Sequence, residues 1–278
     1  MENNIIELIN QRASCRNYSD KKIPDDVLDK LFDAACKAPS GGGFQNYSII
    51  KVTDQSIKDK LVPLCRNQNF ISKAPVSLVF CIDFRKIKKI QEIEPFPFKE
   101  VDKFMNFWMS ILDTAISAQT LALASESFGL KSVYIGNIIS NLDKVSKLLK
   151  LPNYVLPSIM LTLGYPKQAP KPTNRYSKEL IVHENTYTDY SAEVLMDEYK
   201  GKYSNWKLKP KDKFIDLIYE TSKKLEDEEF AEECVKYIKE KNMLSPYQYW
   251  FGCYYLDDDF MSLEEYVDFM REKGFNWI

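Results

Sequence analysis

The sequence has few of the side chains that bind structural metals, and it has no long apolar run. It contains one histidine, His183, and none of its six cysteines belongs to a C-x-x-C pair. Since a zinc site needs a close cluster of such ligands, no metal site is expected. No stretch approaches the roughly 18 apolar residues of a membrane-spanning helix, and no basic, apolar leader opens the chain. These absences predict a cytoplasmic protein with reduced thiols and no membrane contact.

The chain also lacks an excess of charge of either sign. Its 38 lysines and arginines nearly balance its 40 aspartates and glutamates, which leaves a formal net charge of −2. A nucleic-acid-binding surface needs basic residues in clustered excess, so that class of partner is not expected. Hydrophobic residues make up 45% of the 278 residues, enough for the core of one large or two small domains.

The stretch Arg12-Ala13-Ser14-Cys15-Arg16 places two guanidinium groups and one hydroxyl at alternate positions. In an extended segment alternate side chains leave the same side, so the three groups would share one surface. Guanidinium groups bind phosphate oxygens through paired hydrogen bonds, and a hydroxyl adds a further donor. The pattern therefore fits a phosphate site, although a solvated turn produces the same pattern and remains open at this point.

A second candidate segment is the glycine-rich stretch Ser40-Gly41-Gly42-Gly43, which follows a predicted amphipathic helix. Three glycines let the backbone approach a flat ligand closely and leave N–H groups free to donate. A flexible connector is the alternative interpretation of a glycine triplet, and the local sequence does not decide between the two.

Hydrophobic periodicity predicts the order of the main elements. Strands are expected at residues 47–52, 75–82, 133–136 and 157–164, and charged helical segments near 191–200, 211–225, 228–241 and 262–273. A long helix is predicted at residues 101–128, ended by Gly129. This helix is apolar on several sides, which is typical of burial in a core or an interface. Residues 87–98, with mixed charge and two prolines, are expected to form a loop.

Seven short motifs occur in the order and spacing of one known family. They are Arg12-x-Ser14-x-Arg16, Ala38-Pro39-Ser40-Gly41-Gly42-x-x-Gln45, Gln68 before Ala74-Pro75-Val76, Tyr134-Ile135-Gly136-Asn137, Leu148-Leu149-Lys150-Leu151-Pro152, Leu163-Gly164-Tyr165-Pro166 and Val182-His183-Glu184-Asn185. Over about residues 1–190 the chain resembles the nitroreductase-type flavoproteins, the NAD(P)H-dependent nitro and flavin reductases, in their larger, extended form. Each motif is loose alone, and their joint occurrence is specific.

The resemblance implies an α+β fold with a mixed, mainly antiparallel sheet flanked by helices. It also implies a homodimer packed through the long helix at residues 101–128. FMN would be bound at the dimer interface, with NADPH or NADH as the reductant. Residues 1–190 would form the FMN-binding core, and residues 191–278 a helical C-terminal extension.

The resemblance also assigns FMN-binding roles to individual positions. They are Arg12, Ala13, Ser14, Cys15, Arg16, Ser40, Gly41, Gln68, Tyr134, Ile135, Gly136, Asn137, Thr173 and Arg175. Arg12, Ser14 and Arg16 are expected at the phosphate, ribityl chain and ring edge of FMN. Arg175 is expected to reach the phosphate from a proline-rich arm.

The remaining positions would surround the isoalloxazine ring. Ser40 and the glycines after it would lie beside the ring, mainly through their backbone, and Gln68 would bond its ring or ribityl edge. The segment Ile135-Gly136-Asn137 would bring a backbone N–H near the reactive N5 atom. A hydrogen-bond donor at that atom favours the reduced flavin.

The sequence departs from the family pattern at three places. Gly43 stands where an asparagine is often found, and the usual Pro-Trp is replaced by Asn46-Tyr47. In the arm, Thr173 replaces a lysine and Tyr176 replaces a proline. These departures bear on phosphate affinity and on the shape of the substrate pocket more than on the fold.

The implied chemistry belongs to the cofactor. A reduced nicotinamide passes hydride to flavin N5, and a nitroaromatic, quinone or free flavin then takes two electrons in the same place, which predicts ping-pong kinetics. No protein nucleophile or general base is required, so no catalytic side chain is assigned. A non-catalytic protein that binds or senses FMN is the alternative, and a dehalogenase-type reaction on the same fold is a second one.

Three further features have a structural and a functional interpretation. His183 is expected to have a structural role. Cys15 lies next to Arg16, whose charge would lower a thiol pKa and allow a redox role, although a small neutral filler is the favoured interpretation. The basic run between Lys200 and Lys213 is interpreted either as an attraction for the 2′-phosphate of NADPH or as a solvated linker.

Overall fold

A computed structural model describes residues 4–99, 103–256 and 261–277. The described residues fall into two compact units, one formed by the chain up to residue 172 together with residues from 261 onward, the other by residues 173–256. The first unit contains the helices α1 (Asn4–Gln11), α2 (Asp25–Cys36), α3 (Gln55–Leu64), α4 (Phe70–Lys73), α5 (Arg85–Gln91), α6 (Phe104–Glu126), α7 (Leu142–Leu148) and α13 (Leu263–Glu272). The second unit contains the helices α8 (Lys178–Ile181), α9 (Ala192–Lys202), α10 (Asp212–Leu225), α11 (Glu228–Lys241) and α12 (Pro246–Tyr249).

The first unit is built on a sheet whose strands have the order β1-β2-β4-β3. The strands are β1 (Tyr47–Val52), β2 (Val76–Asp83), β3 (Lys131–Ile135) and β4 (Val155–Gly164). Every strand pairing among the described residues is antiparallel, with Val79 opposite Met160 in the central pair. The predicted α+β class with a mainly antiparallel sheet and a helical C-terminal extension is therefore confirmed.

The central strand β2 is buried along its whole length, which explains its near-continuous apolar sequence. Leu78 and Phe80 face one core cluster, together with residues of α2 and α6. Val79 and Cys81 face a second cluster, together with residues of α3 and α7. Because successive side chains of a strand point to opposite faces, one apolar run holds helices on both sides of the sheet.

The long helix α6 was predicted at residues 101–128, and its predicted start lies outside the described residues. It ends after Glu126, and Gly129 follows with a φ of +69°, the left-handed conformation that commonly ends a helix. Its buried side, which includes Ala118 and Leu121, packs on α2 and the sheet. Within the described parts of the chain, no helix combines the length and the hydropathy needed to cross a bilayer.

The loop predicted at residues 87–98 is wrong in its first part, because α5 extends to Gln91. The Asp83 carboxylate accepts a hydrogen bond from the Arg85 N–H at 3.0 Å and so provides a partner for the start of this helix. Both prolines of the segment, Pro95 and Pro97, come after the helix has ended. The short helices α4, α8 and α12 were not predicted either.

The C-terminal segment belongs to the first unit. Phe275 is fully buried, and its ring lies 6.1 Å from the ring of Phe84 and 5.7 Å from that of Phe107. The backbone N–H of Tyr154 donates to the carbonyl of Lys273 at 2.9 Å. The domain boundary predicted at residue 190 stays a prediction, whereas the compact units divide the chain after residue 172.

The second unit has a small core of its own. Helices α10 and α11 contact each other extensively, and Ile218, Ile238 and Leu244 are buried between them and the following segment. The predicted tail helices at 211–225 and 228–241 are found within one residue of their expected bounds.

Candidate functional site

The Arg12–Arg16 segment is extended and lies along β3. The backbone N–H of Cys15 donates to the carbonyl of Ser132 at 3.0 Å. Ala13 and Cys15 are buried, whereas Ser14 and Arg16 are exposed. The alternation expected from the sequence is therefore present, and it directs the apolar side chains of the segment into the core.

Arg12 is the residue of this segment with unsatisfied hydrogen-bonding groups. Its Nε and Nη2 atoms are buried and have no hydrogen-bond partner among the described residues. Its guanidinium carbon lies 5.4 Å from the ring centroid of Tyr134. Because buried donors without partners are costly, this guanidinium is a candidate to receive an anion or a carbonyl oxygen from a ligand.

The structure disfavours a reactive Cys15 thiol. Its burial raises the pKa, and this effect outweighs the opposing charges of Lys131 and Arg16. The thiol donates a hydrogen bond to the carbonyl of Asn17 at 3.4 Å. A reactive thiol needs a lowered pKa and exposure to solvent, and Cys15 has neither. Its side chain therefore serves to pack the core.

Replacing Cys15 with serine is expected to leave FMN binding and turnover within about twofold of the parent, at a cost of about 1 kcal/mol in stability. The serine hydroxyl can keep the bond to the Asn17 carbonyl. Flavin titration and steady-state rates measure this. A collapse of turnover with FMN still bound would show that the thiol takes part in the reaction.

The glycine-rich segment forms a single 3₁₀ turn, Gly41–Gly43. The Asp113 carboxylate of α6 accepts a hydrogen bond from the Gly41 N–H at 3.0 Å. Gly43 has a φ of +71°, a left-handed conformation that glycine adopts without strain and asparagine tolerates. The departure from asparagine at this position is therefore compatible with the same turn.

The end of β3 and the turn Gly136–Ile139 form another side of the candidate site. The Tyr134 hydroxyl donates to Gln119 Oε1 at 2.9 Å, and burial raises the pKa of Tyr134 to about 12. Gln68 lies against this turn, because its Nε2 donates to Asn137 Oδ1 at 3.2 Å. Predicted site residues from distant parts of the chain are thus brought together here.

Thr173 and Arg175 belong to the second unit. The Arg175 guanidinium bonds within its own arm, to the Thr173 hydroxyl and to the carbonyls of Thr173 and Asn174. Its predicted contact with a phosphate stays a prediction.

Two supporting residues were missed by sequence reasoning. Asp113 holds the glycine turn and Gln119 holds the Tyr134 hydroxyl, and both are polar residues on the long apolar helix α6. Their polarity inside this helix was visible in the sequence. It indicated only that the helix does not span a membrane, because the partners are distant in the chain.

The family model described as "Nitroreductase family" matches residues 9–165, which include the Arg12–Arg16 segment, the glycine turn, Gln68 and the Gly136–Ile139 turn. The chain belongs to the nitroreductase family. It is 34% identical over 200 residues to the oxygen-insensitive NADPH nitroreductase of Salmonella typhimurium, covering 71% of this chain and 81% of the relative. It is 30% identical over 276 residues to the FMN reductase (NADPH) of Bacillus subtilis, covering 99% of both chains.

A solved structure, the NADPH:FMN oxidoreductase from Vibrio harveyi complexed with NAD+, is also similar. It has a TM-score of 0.68 and 30% sequence identity, and the match covers 73% of this chain and 86% of that one. The family predicted from the sequence motifs is therefore confirmed. The individual FMN contacts assigned from those motifs stay predictions.

One feature of this structure indicates that the site fits FMN. Two nitrogen atoms of Arg12 are buried without a partner in the described parts of the chain and need acceptors, and both the phosphate and the ring carbonyl oxygens of FMN are acceptors. The exposed Ser14 and Arg16 on the same segment add further donors.

Proposed function

We propose that this chain is an FMN-dependent NAD(P)H oxidoreductase that acts on small-molecule acceptors. The half-buried guanidinium of Arg12, two of whose nitrogen atoms are buried without partners among the described residues, is the observation that carries the proposal. A buried group of this kind is stable when a bound acceptor satisfies it, and FMN provides such an acceptor. The names of the relatives support the cofactor and the reductant.

The residues of the chain bind and orient in this proposal. Arg12, Ser14 and Arg16 supply donors to anionic and carbonyl oxygens of FMN. The glycine turn, whose Gly41 N–H is bonded to the Asp113 carboxylate, offers a flat ring a surface without side chains, and the space beside Gly43 is open. Asn137, in the turn Gly136–Ile139, accepts a hydrogen bond from Gln68 and so holds it at the end of β3.

When bound, FMN would supply the redox chemistry, a two-electron transfer from a reduced nicotinamide to a nitroaromatic, quinone or flavin. The chain provides no required nucleophile or general base, and its contribution is positioning. Because donor and acceptor would use one place in turn, the kinetics are expected to be ping-pong.

We also propose that the protein acts as a homodimer that pairs through α6. One face of this helix carries exposed apolar side chains at helical spacing, namely Phe104, Met105, Trp108, Met109, Leu112 and Ile116. Trp108 is 54% exposed although it sits in the middle of this row. A contiguous exposed apolar face of this kind is typical of a protein interface.

The hypothesis that the lysines between Lys200 and Lys213 attract the 2′-phosphate of NADPH stays a prediction. Two of them already have partners, since Lys200 pairs with Asp197 at 3.5 Å and Lys202 lies 3.9 Å from the Tyr176 ring centroid. The names of the relatives favour NADPH as the first donor to test.

The proposal is tested by the visible absorption spectrum of the purified protein under anaerobic conditions. Bound flavin is expected to bleach with NADPH or NADH and to recover on addition of a nitroaromatic or a quinone. Initial rates over a matrix of donor and acceptor concentrations are expected to give parallel double-reciprocal lines. The cytoplasmic location expected from the sequence stays a prediction.

Two other spectral results contradict the proposal in different ways. Bound flavin that neither nicotinamide bleaches would indicate a non-catalytic FMN-binding protein. A colourless protein that takes up no added FMN would show that the departures at Gly43 and Thr173 have removed the site. Intersecting double-reciprocal lines would contradict the shared place for donor and acceptor.

A further inference from the structure

Gln68 is held in one orientation by two acceptors from different parts of the chain. Its Nε2 donates to the carbonyl of Cys65 at 3.0 Å and to Asn137 Oδ1 at 3.2 Å. A primary amide has two N–H hydrogens, and both are used here within the protein. The polar group that Gln68 can still offer to a ligand is its carbonyl oxygen, which only accepts hydrogen bonds.

The backbone around Gln68 supports this arrangement. Arg66 and Asn67 both have left-handed conformations, with φ values of 57° and 54°, directly before it. Residues other than glycine seldom adopt the left-handed backbone conformation, and those that do cluster at functional sites. The backbone carbonyl of Gln68, as distinct from its side-chain carbonyl, accepts a hydrogen bond from the Ile71 N–H at 3.0 Å, which fixes the start of α4.

Asn137 is itself oriented by the turn that follows β3. Its side-chain Nδ2 donates to the Ser140 hydroxyl at 3.4 Å, and its backbone carbonyl accepts a hydrogen bond from the Ser140 N–H at 3.1 Å. With Nδ2 directed to Ser140, its Oδ1 faces Gln68. The bond between Gln68 and Asn137 joins two loops that are 69 residues apart in the sequence.

From this geometry we infer that Asn137 is a positioning residue that makes Gln68 an acceptor toward the cofactor. This inference rests on the proposed function, in which FMN binds at this site. The oxidised isoalloxazine ring has several acceptor atoms and one N–H donor, at N3. A Gln68 side chain that can only accept therefore selects the N3–H of the ring.

The structure also indicates what happens without the Asn137 side chain. Gln68 would keep its bond to the Cys65 carbonyl, and its second N–H would be released. Gln68 could then donate to a ring carbonyl as well as accept from N3–H. The loss of Asn137 should thus relax the recognition of N3–H and need not abolish FMN binding.

The test compares the dissociation constants of FMN and 3-methyl-FMN, in which the N3–H donor is replaced by a methyl group. The parent protein is expected to bind FMN at least about tenfold more tightly than 3-methyl-FMN, because the side-chain carbonyl oxygen of Gln68 would lose its donor under the bound ring. In Asn137→Gly this ratio is expected to fall by about fivefold. In Asn137→Asp, which keeps an acceptor for Gln68 Nε2, the ratio is expected to stay near that of the parent.

The ratio separates this role from a purely structural one. The steric effect of the methyl group is present in every variant, so it cancels when the ratios are compared. An Asn137→Gly variant that loses affinity for both flavins equally would overturn the inference while leaving the proposed function intact. A parent protein that binds neither flavin would instead overturn the proposed function. If Asn137→Gly fails to fold, a ratio in Asn137→Asp that falls well below that of the parent would overturn the inference.

Discussion

Replacing Phe275 with alanine is expected to lower the free energy of unfolding by about 3–5 kcal/mol. The side chain is 1% exposed and packs edge-on against the rings of Phe84 and Phe107. Truncation removes its apolar surface from the core and leaves a cavity that rigid neighbours fill only in part. Denaturant unfolding at fixed protein and FMN concentration measures the change, because bound ligand and subunit association both shift apparent stability.

The matched control for Phe275 lies on α13 of the same C-terminal segment. Leu263 is 80% exposed, so Leu263→Ala is expected to change stability by no more than about 0.5 kcal/mol. Comparable, small effects of the two substitutions would show that the C-terminal segment contributes little to the core. A large effect of Phe275→Ala alone would support its assignment to the first compact unit.

Replacing Arg12 with alanine is expected to weaken FMN binding by about 10- to 100-fold. The basis is the loss of charge-assisted hydrogen bonds from the two buried nitrogen atoms, worth about 1.5–3 kcal/mol. Arg12→Lys should have an intermediate effect, because an ammonium group keeps the charge and loses the planar fork. Fluorescence titration of the protein with FMN gives the dissociation constants.

Arg85→Ala is the charge-matched control for Arg12. It removes one positive charge from α5 in the same unit and is expected to change FMN affinity by less than about threefold. If Arg12→Ala and Arg85→Ala bind FMN as tightly as the parent, the unpartnered guanidinium does not contact the cofactor. If both weaken binding equally, the effect is that of net charge and no specific contact is needed.

Short-range patterns in the sequence predicted the four strands and the longer helices. The run of apolar residues at β2 and the amphipathic helices α10 and α11 were found close to their expected bounds. Such elements depend on side-chain periodicity within a few turns or residues, which the sequence displays directly. The end of the short helix α5 was predicted as a loop because residues 87–98 have mixed charge and include two prolines that follow the helix.

The candidate site was predictable in its residues and only partly in its arrangement. Seven motifs together identified the family and a set of positions, and the alternation expected at Arg12–Arg16 is present. The support of the glycine turn by Asp113 joins positions 72 residues apart. No periodicity or spacing predicts a pair of this kind, because the two residues meet only when α6 packs beside the turn.

The sequence by itself determined the class of fold, the family and the residue types that surround the site. Only the tertiary structure decided that two buried nitrogen atoms of Arg12 lack partners among the described residues, that Asn137 is bonded to Gln68, and that Phe275 belongs to the first unit. The physical reason is that helix and strand formation depend on local side-chain patterns. Burial and hydrogen-bond pairing instead depend on which distant segments the packed sheet and helices bring into contact.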